Sequence, residues 1–302
     1  MARLKRAFKN RKPIRTGSLI VTMFGDSVAP RGGSIWLGSL IDACGLLDIQ
    51  HRLVRTAVYR LVQDGVLNNQ SQGRRSFYAL TPAGKREFDE ATQRIYYESP
   101  DRWDGAWCLV LTTNLSTGQR AAVRKRLAWQ GFGSFGVDLL AHPCADRDSV
   151  TAALNAAQAG DRAVVMTAAT PPGQSDEGLE GLLASAWDLA ALDEAYTGYV
   201  AVFAPFLGAL QAGEAVSDED AFLLRTFMIH EYRKVLLRDP ALPAELLPPA
   251  WPGIAAYQLS QALYRLVTVQ AERYIDRHFE NQHGPLPRAG AIFHERFGGL
   301  QV

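Results

Sequence analysis

Residues 49–64, Ile49-Gln-His-Arg-Leu-Val-Arg-Thr-Ala-Val-Tyr-Arg-Leu-Val-Gln-Asp64, decide how the first third of the chain is read. Leu53, Val54, Ala57, Val58, Leu61 and Val62 recur at helical spacing and form one apolar face. Arg52, Arg55, Thr56, Tyr59 and Arg60 fall on the opposite face. A helix fits the major groove of duplex DNA, where arginine pairs bidentately with guanine O6 and N7. Threonine and tyrosine hydroxyls bond phosphates or base edges. An ordinary amphipathic helix with a solvated basic face has the same pattern, so the neighbourhood must discriminate.

Upstream, Ser34 is expected to cap a helix over Ile35–Cys44. Gly45 should end it in a left-handed conformation, and Leu46–Asp48 make the turn into the third helix. Ser18 caps an earlier helix beginning Leu19–Phe24, broken by Pro30, Gly32 and Gly33. Downstream, Gly65 stops the third helix. Two strands, Val66–Asn69 and Ser76–Leu80, are joined by a polar tip that carries Arg74 and Arg75. Thr81 caps a long helix with Pro82 at its first position. Helix, helix, helix, hairpin, helix is the order of a winged helix-turn-helix, whose second motif helix enters the groove while the hairpin touches phosphate. The basic arm, Arg3, Lys5, Arg6, Lys9, Arg11, Lys12 and Arg15, is either a tail or a further DNA contact. Arg15 joins Arg52, Arg55, Thr56, Tyr59, Arg60, Arg74 and Arg75 as candidate DNA ligands within a domain spanning 1–100.

Charge supports this reading. The whole 302-residue chain is nearly neutral at +1. Residues 1–100 carry 16 Lys and Arg against 8 Asp and Glu; the remainder carries 16 against 23. A basic end on an acidic protein is the footprint of a nucleic-acid binder. Cys44, Cys108 and Cys144 are too few and too widely spaced for a disulfide framework, which points to a reducing, cytoplasmic setting. The apolar runs are too short for a secretion signal or a bilayer span.

Residues 101–172 read β-α-β-β-α-β, the ferredoxin-like order. The strands fall at Trp107–Thr113, within Phe132–Leu140, and at Ala163–Thr167; the helices span Gly118–Trp129 and Ser149–Ala159. Pro171, Pro172 and Gly173 form a linker. Residues 173–302 are expected to be all-helical: Leu179–Leu192, Tyr196–Gln211, Asp218–Leu237 with a Ser217/Asp220 cap, and Ile254–Phe279. The tail from Asn281 has no clear pattern. The fold class is therefore multidomain α+β.

Several stretches resemble the PaaX family of phenylacetate-degradation repressors. They are Ser18–Asp26 (SLIVTMFGD), Val54-Arg55-Thr56-Ala57 with Arg60-Leu61-Val62, Gly73–Thr81 (GRRSFYALT), Arg94-Ile95-Tyr96 and Trp103–Trp107 (WDGAW). Downstream come His230–Lys234 (HEYRK), Leu237–Pro240 (LRDP), Leu242-Pro243, Leu246–Pro248 and Trp251-Pro252-Gly253. The likeness runs in order along nearly the whole chain. It implies a winged helix, a central domain similar to the small CRISPR-associated nucleases, and a helical C-terminal domain. It further implies a repressor of aromatic catabolism that binds double-stranded operator DNA; a basic winged helix joined to a large non-basic region leads us to expect a homodimer. An aryl-CoA thioester, typically phenylacetyl-CoA, would release it.

Catalytic signals are poor. Gly131–Gly136 satisfies GxGxxG, but a dinucleotide site needs a strand before it and a helix after it; here the order is reversed, which reads as a turn. The first central strand ends Thr112-Thr113-Asn114, without the carboxylate that metal-assisted phosphodiester cleavage needs. His230-Glu231 lacks the second histidine of HExxH, and His278 with His283 has no cysteine nearby. No metal, cofactor or catalytic residue is expected. An aryl effector with a phosphate-rich tail needs an apolar pocket and cations. Arg225, Tyr232, Arg233, Lys234, Arg238, Trp251, Tyr264 and Arg265 are the candidates; helix-surface salt bridges and aromatic core are the alternative uses. An enzyme acting on acyl-CoA or nucleic acid, and a DNA-binding scaffold without effector, are the competing functions.

Overall fold

Leu19, Ile20 and Met23 are fully buried on one helix and Val54, Ala57 and Val58 are buried on another, and the packing of these two helices organises the N-terminal region. A computed structural model describes residues 15–97, 103–171 and 176–300. The basic arm through Lys12 lies outside them; Arg15 is described. The chain runs α1 (Thr16–Met23), a π-helical turn (Phe24–Val28), a 3-10 turn (Ala29–Arg31), β1 (Ser34–Trp36), α2 (Leu37–Gly45), α3 (His51–Gln63), β2 (Leu67–Gln72), β3 (Arg75–Leu80) and α4 (Pro82–Tyr96). β2 and β3 pair antiparallel from Leu67↔Leu80 to Gln72↔Arg75. The Thr81 hydroxyl accepts the Gly84 amide at 3.0 Å, so the predicted cap of α4 forms.

Four local expectations change. Ser34 does not cap a helix: Ser34–Trp36 is a strand on β3, with Ile35 opposite Tyr78. Its β-favouring Ile-Trp pair finds a sheet edge, and the helix starts only at Leu37. Gly45 is the last helical residue of α2, and Asp48, at φ 58°, takes the left-handed position instead. Leu53 was assigned to the apolar face but is 53% exposed, leaving Val54, Ala57 and Val58 as the buried stripe of α3. Arg15, not Ser18, occupies the position before α1.

The middle of the chain gives β4 (Ala106–Leu111), α5 (Thr117–Trp129), β5 (Gly133–Ser134), β6 (Leu139–His142), α6 (Arg147–Ala156) and β7 (Val164–Ala169). These strands form one antiparallel sheet in the order β5-β6-β4-β7. Alternation along β4 sends Val110 to a core with Val123, Leu127, Leu140, Val150 and Leu154. Trp107 goes to the opposite core with Ala141, Leu183, Trp187, Leu242 and Leu246. The GxGxxG stretch turns at Gly131 and then enters β5 at Gly133–Ser134, with no helix after it. At Gly131, φ is +89° and a Cβ would sit 2.4 Å from the Pro240 carbonyl oxygen; at Gly133 it would strike the Trp187 ring.

Beyond this sheet lie α7 (Asp176–Ala186), α8 (Leu189–Gln211), α9 (Asp218–Leu236), a 3-10 turn (Ala244–Leu246) and α10 (Pro252–His278). The single helix expected over Leu179–Leu192 is split between α7 and α8. Ser217 accepts the Asp220 amide at 3.1 Å, as expected of the cap. The tail does have structure: a hairpin of β8 (Glu280–Asn281) and β9 (Gly284–Pro285), then α11 (Ala291–His294) and a 3-10 turn (Arg296–Gly298). The all-helical expectation for 173–302 is corrected at that hairpin.

The described residues fall into two compact units. One comprises those of Met1–Glu98, Gly198–Lys234 and Ile254–Val302; the other comprises those of Ser99–Thr197 and Val235–Gly253. Much of the segment from 173 onward therefore clusters with the N-terminal region.

Candidate nucleic-acid interface

The exposed face of α3 is set by the buried one. Once Val54, Ala57 and Val58 face α1 and α2, Arg52, Arg55, Tyr59 and Arg60 must point to solvent, and all four are exposed. Tyr59 is 64% exposed. Thr56 is exposed too, but its hydroxyl donates to the Arg52 carbonyl at 2.9 Å; only its lone pairs remain to accept from a partner. Leu53, left out of the core, adds an apolar group suited to a thymine methyl. His51, exposed at the first turn, was missed by sequence reasoning because it sits outside the Arg spacing.

The β2–β3 hairpin is polar along β2, where Asn68, Asn69, Gln70, Ser71 and Gln72 are all exposed. Arg74 is exposed at the tip. Arg75 is held differently. Its Nη1 pairs with Glu280 Oε2 at 2.8 Å, and its guanidinium lies 4.4 Å from the centre of the Trp36 ring. Glu280 is itself anchored, its amide donating to the Ser39 hydroxyl at 3.1 Å. Arg15 is exposed at the start of α1. The structure thus gathers Arg52, Arg55, Thr56, Tyr59 and Arg60 on one helix face, with Arg74 and Arg75 on the adjoining hairpin.

The candidate effector residues are divided between the two units. Arg225, Tyr232, Arg233, Lys234, Tyr264 and Arg265 belong to one unit; Arg238 and Trp251 belong to the other. Arg225 is fully buried, pairing with Asp26 at 2.9 Å and Glu272 at 2.9 Å. Arg31 joins Glu272 and, at 2.8 Å, Asp276. Arg296, 2% exposed, donates to the Asp26 carbonyl at 2.9 Å. The Tyr96 and Tyr264 hydroxyls each donate to Asp26 Oδ1 at 2.8 Å. Burial disfavours the Asp26 carboxylate, but Arg225, Arg296 and the two hydroxyls outweigh it and hold its pKa below the usual range. Arg225 and Tyr264 are thus occupied as structural groups, the salt-bridge and core uses.

Among the others, Tyr232 is buried with its ring 5.5 Å from that of Tyr199. Arg233 donates to the Ser18 and Thr22 hydroxyls at 3.4 Å. Lys234 pairs with Glu231 at 3.1 Å. Arg265 donates to the Phe297 carbonyl at 2.6 Å. Trp251 packs edge-on to Tyr196, and Arg238 is exposed. Sequence reasoning missed Asp26, Arg31, Glu272 and Arg296, which are far apart in the chain and share no spacing.

Comparison with known proteins gives three successive family matches: a PaaX-like protein over residues 15–84, the PaaX protein central Cas2-like domain over 100–179, and a PaaX-like protein C-terminal domain over 187–277. A transcriptional repressor of Escherichia coli, PaaX, is 37% identical over 294 residues, covering 97% of this chain and 93% of that protein. An uncharacterised protein of Mycobacterium tuberculosis of known structure is 27% identical, covering 78% of this chain and 88% of that one, at a TM-score of 0.45.

Proposed function

The chain belongs to the PaaX family of transcriptional repressors, and from that premise we propose that it represses phenylacetate catabolic genes by docking α3 in the major groove of operator DNA. It is a regulator, not an enzyme. The observation that carries the DNA reading is the face of α3: Arg52, Arg55, Tyr59 and Arg60 exposed together beside a polar hairpin. α2, the turn at Asp48 and α3 supply a helix-turn-helix, and β2–β3 is its wing. The central sheet order, β5-β6-β4-β7, supports reading the middle of the chain as a ferredoxin-like domain.

The protein acts as a homodimer reading two half-sites. Supporting this, β7 is an edge strand of the central sheet with Val164, Val165 and Met166 at 43%, 37% and 47% exposure. A bare apolar edge invites pairing with a second chain. The effector is an aryl-CoA thioester, phenylacetyl-CoA first. The setting is cytoplasmic, which accords with the absence, among the described residues, of any helix long and apolar enough to cross a membrane.

The test is affinity for the protein's own upstream DNA at fixed salt, since phosphate contacts make affinity salt-dependent. The parent binds specifically, and Arg55→Glu with Arg60→Glu abolishes binding while the circular dichroism spectrum is kept. Retained specific binding by that variant overturns the assignment of α3. Micromolar phenylacetyl-CoA releases the DNA, whereas free CoA and phenylacetate do not; no release by any acyl-CoA removes the effector from the reading and leaves the DNA role.

A further inference from the structure

Helix α5 (Thr117–Trp129) carries Arg120, Arg124, Lys125 and Arg126 and no acidic residue. The sequence around it has the opposite sign: residues 101–302 hold 23 Asp and Glu against 16 Lys and Arg. Packing does not ask for this charge, because Val123 and Leu127 form the buried side of the helix. Arg120 is neutralised, its Nε lying 2.9 Å from Asp138 Oδ1. Arg124 is anchored without being neutralised: its Nη2 donates to the carbonyls of Gly136 and Val137. Lys125 and Arg126 are exposed. No carboxylate among the described residues lies within ion-pair distance of Arg124, Lys125 or Arg126.

Three adjacent positive charges are not what a merely solvated helix face needs. Such faces mix signs and gain from opposite charges three or four residues apart; α5 has no such pair. The mutual repulsion is relieved when a polyanion covers the face. The groups beside the cations fit the same partner. Trp129 follows Lys125 by one turn and is 56% exposed; Val137, whose carbonyl Arg124 holds, is 76% exposed. Apolar groups flanking cations suit a chain that alternates phosphate with sugar. The planar fork of arginine matches phosphate geometry bidentately. Duplex DNA offers about one negative charge per 1.7 Å of its axis.

We propose that α5 is a second DNA-contacting surface, where Arg124, Lys125 and Arg126 neutralise phosphates of the same duplex that α3 reads. The inference rests on the DNA reading of α3 and adds the central unit to the grip. α5 contributes affinity and not sequence preference, because phosphate contacts carry no base information. The contact need not be strong by itself. Once α3 is docked, tethering within one chain gives α5 a high effective concentration of DNA.

The experiment measures the affinity of the full-length protein for operator and for random duplex of equal length across a range of salt. The variants are Lys125→Gln combined with Arg126→Gln, and Arg238→Gln, an exposed cation of the same unit outside α5. The double variant is expected to lose about tenfold or more on both sequences, and its slope of log affinity against log salt to flatten by about two units, roughly 0.9 for each phosphate released. Arg238→Gln keeps the parent's slope. Parent affinity and slope in the double variant overturn the proposal, as does a loss confined to operator or a flattening of about one unit by Arg238→Gln. Repression of transcription that weakens while DNA binding stays unchanged assigns the face to an acidic protein and overturns it too. If the parent shows no preference for operator over random DNA, the reading of α3 fails and this proposal with it. Should the double variant not fold, Lys125→Gln alone decides, with about one unit of slope.

Discussion

Arg225 Nε lies 2.9 Å from Asp26 Oδ2 with both side chains essentially out of solvent, tying α9 to the π-helical turn after α1. The residues are almost two hundred positions apart. Removing one partner of a buried ion pair strands the other charge and costs about 3–5 kcal/mol, whereas replacing both with apolar groups costs far less. Asp26→Leu is therefore expected to destabilise by about that range. Arg225→Met should do likewise, and the double variant should fall well short of their sum, because the sites are in contact. Denaturant unfolding of all four proteins measures this. Simple additivity would mean that the pair is not coupled. Arg296 also faces Asp26, so the double variant still leaves some penalty.

Phosphate contact and base contact on α3 separate in salt. Each phosphate-neutralising arginine contributes roughly one unit to the slope of log affinity against log salt, while a base-reading arginine costs about 1–3 kcal/mol when removed and relaxes sequence preference. Arg55 and Arg60 lie on the exposed face of α3 that is proposed to enter the groove. Arg55→Ala should lower affinity tenfold or more for operator and far less for random DNA. Equal losses on both sequences would make Arg55 a backbone contact.

The local grammar of the chain was legible where one face was buried and the other was not. α3, the Thr81 cap and the alternation of β4 follow from patterns within a few residues. Ser34–Trp36 was misread because a three-residue strand has no period of its own, and its partner, Ala79–Phe77, lies about forty residues on. The tail was unreadable for a similar reason: β8, β9 and Arg296 take their places from contacts with Ser39, Arg75 and Asp26, none of which is near in sequence. Leu53 shows the opposite error. Hydrophobic spacing assigned it to the core, and the geometry of α3 left it on the surface with the arginines. For the effector residues, sequence gave cations and aromatics without their partners. Arg225 is buried in ion pairs with Asp26 and Glu272, and the Tyr264 hydroxyl donates to Asp26.

Acid should loosen the contact between α1 and α9 through His230. The ring is 4% exposed, its Nδ1 is 3.1 Å from the Thr22 hydroxyl, and burial pushes its pKa down from 6.5 to about 4, with Glu231 opposing and Arg233 and Lys234 assisting. A folded-state pKa below the unfolded one means the unfolded chain binds the proton first. Stability is then complete above pH 6.5 and is lost as pH falls toward 4. At pH 5 the loss is on the order of 2 kcal/mol. Melting curves at pH 7.5 and 5 should show a larger drop for the parent than for His230→Gln. Equal drops would place the acid sensitivity elsewhere.

If the wing meets phosphate as proposed, Glu280 competes with DNA for Arg75. The pair is half-exposed, so its own contribution to stability is below about 1 kcal/mol. Its effect on binding is larger, because Arg75 must be released, or must share its charge, before it neutralises a phosphate. Glu280→Gln removes a negative charge beside the wing and frees the guanidinium. Operator affinity should rise severalfold at low salt, with the salt slope steeper by up to one unit. Arg74, exposed at the tip, needs no such release, so Arg74→Ala should flatten the slope in the parent more than Arg75→Ala does. In the Glu280→Gln background the two alanine variants should become equivalent. If Arg75→Ala instead costs as much as Arg74→Ala in the parent, Glu280 yields Arg75 freely, and the hairpin of β8 and β9 only supports the wing.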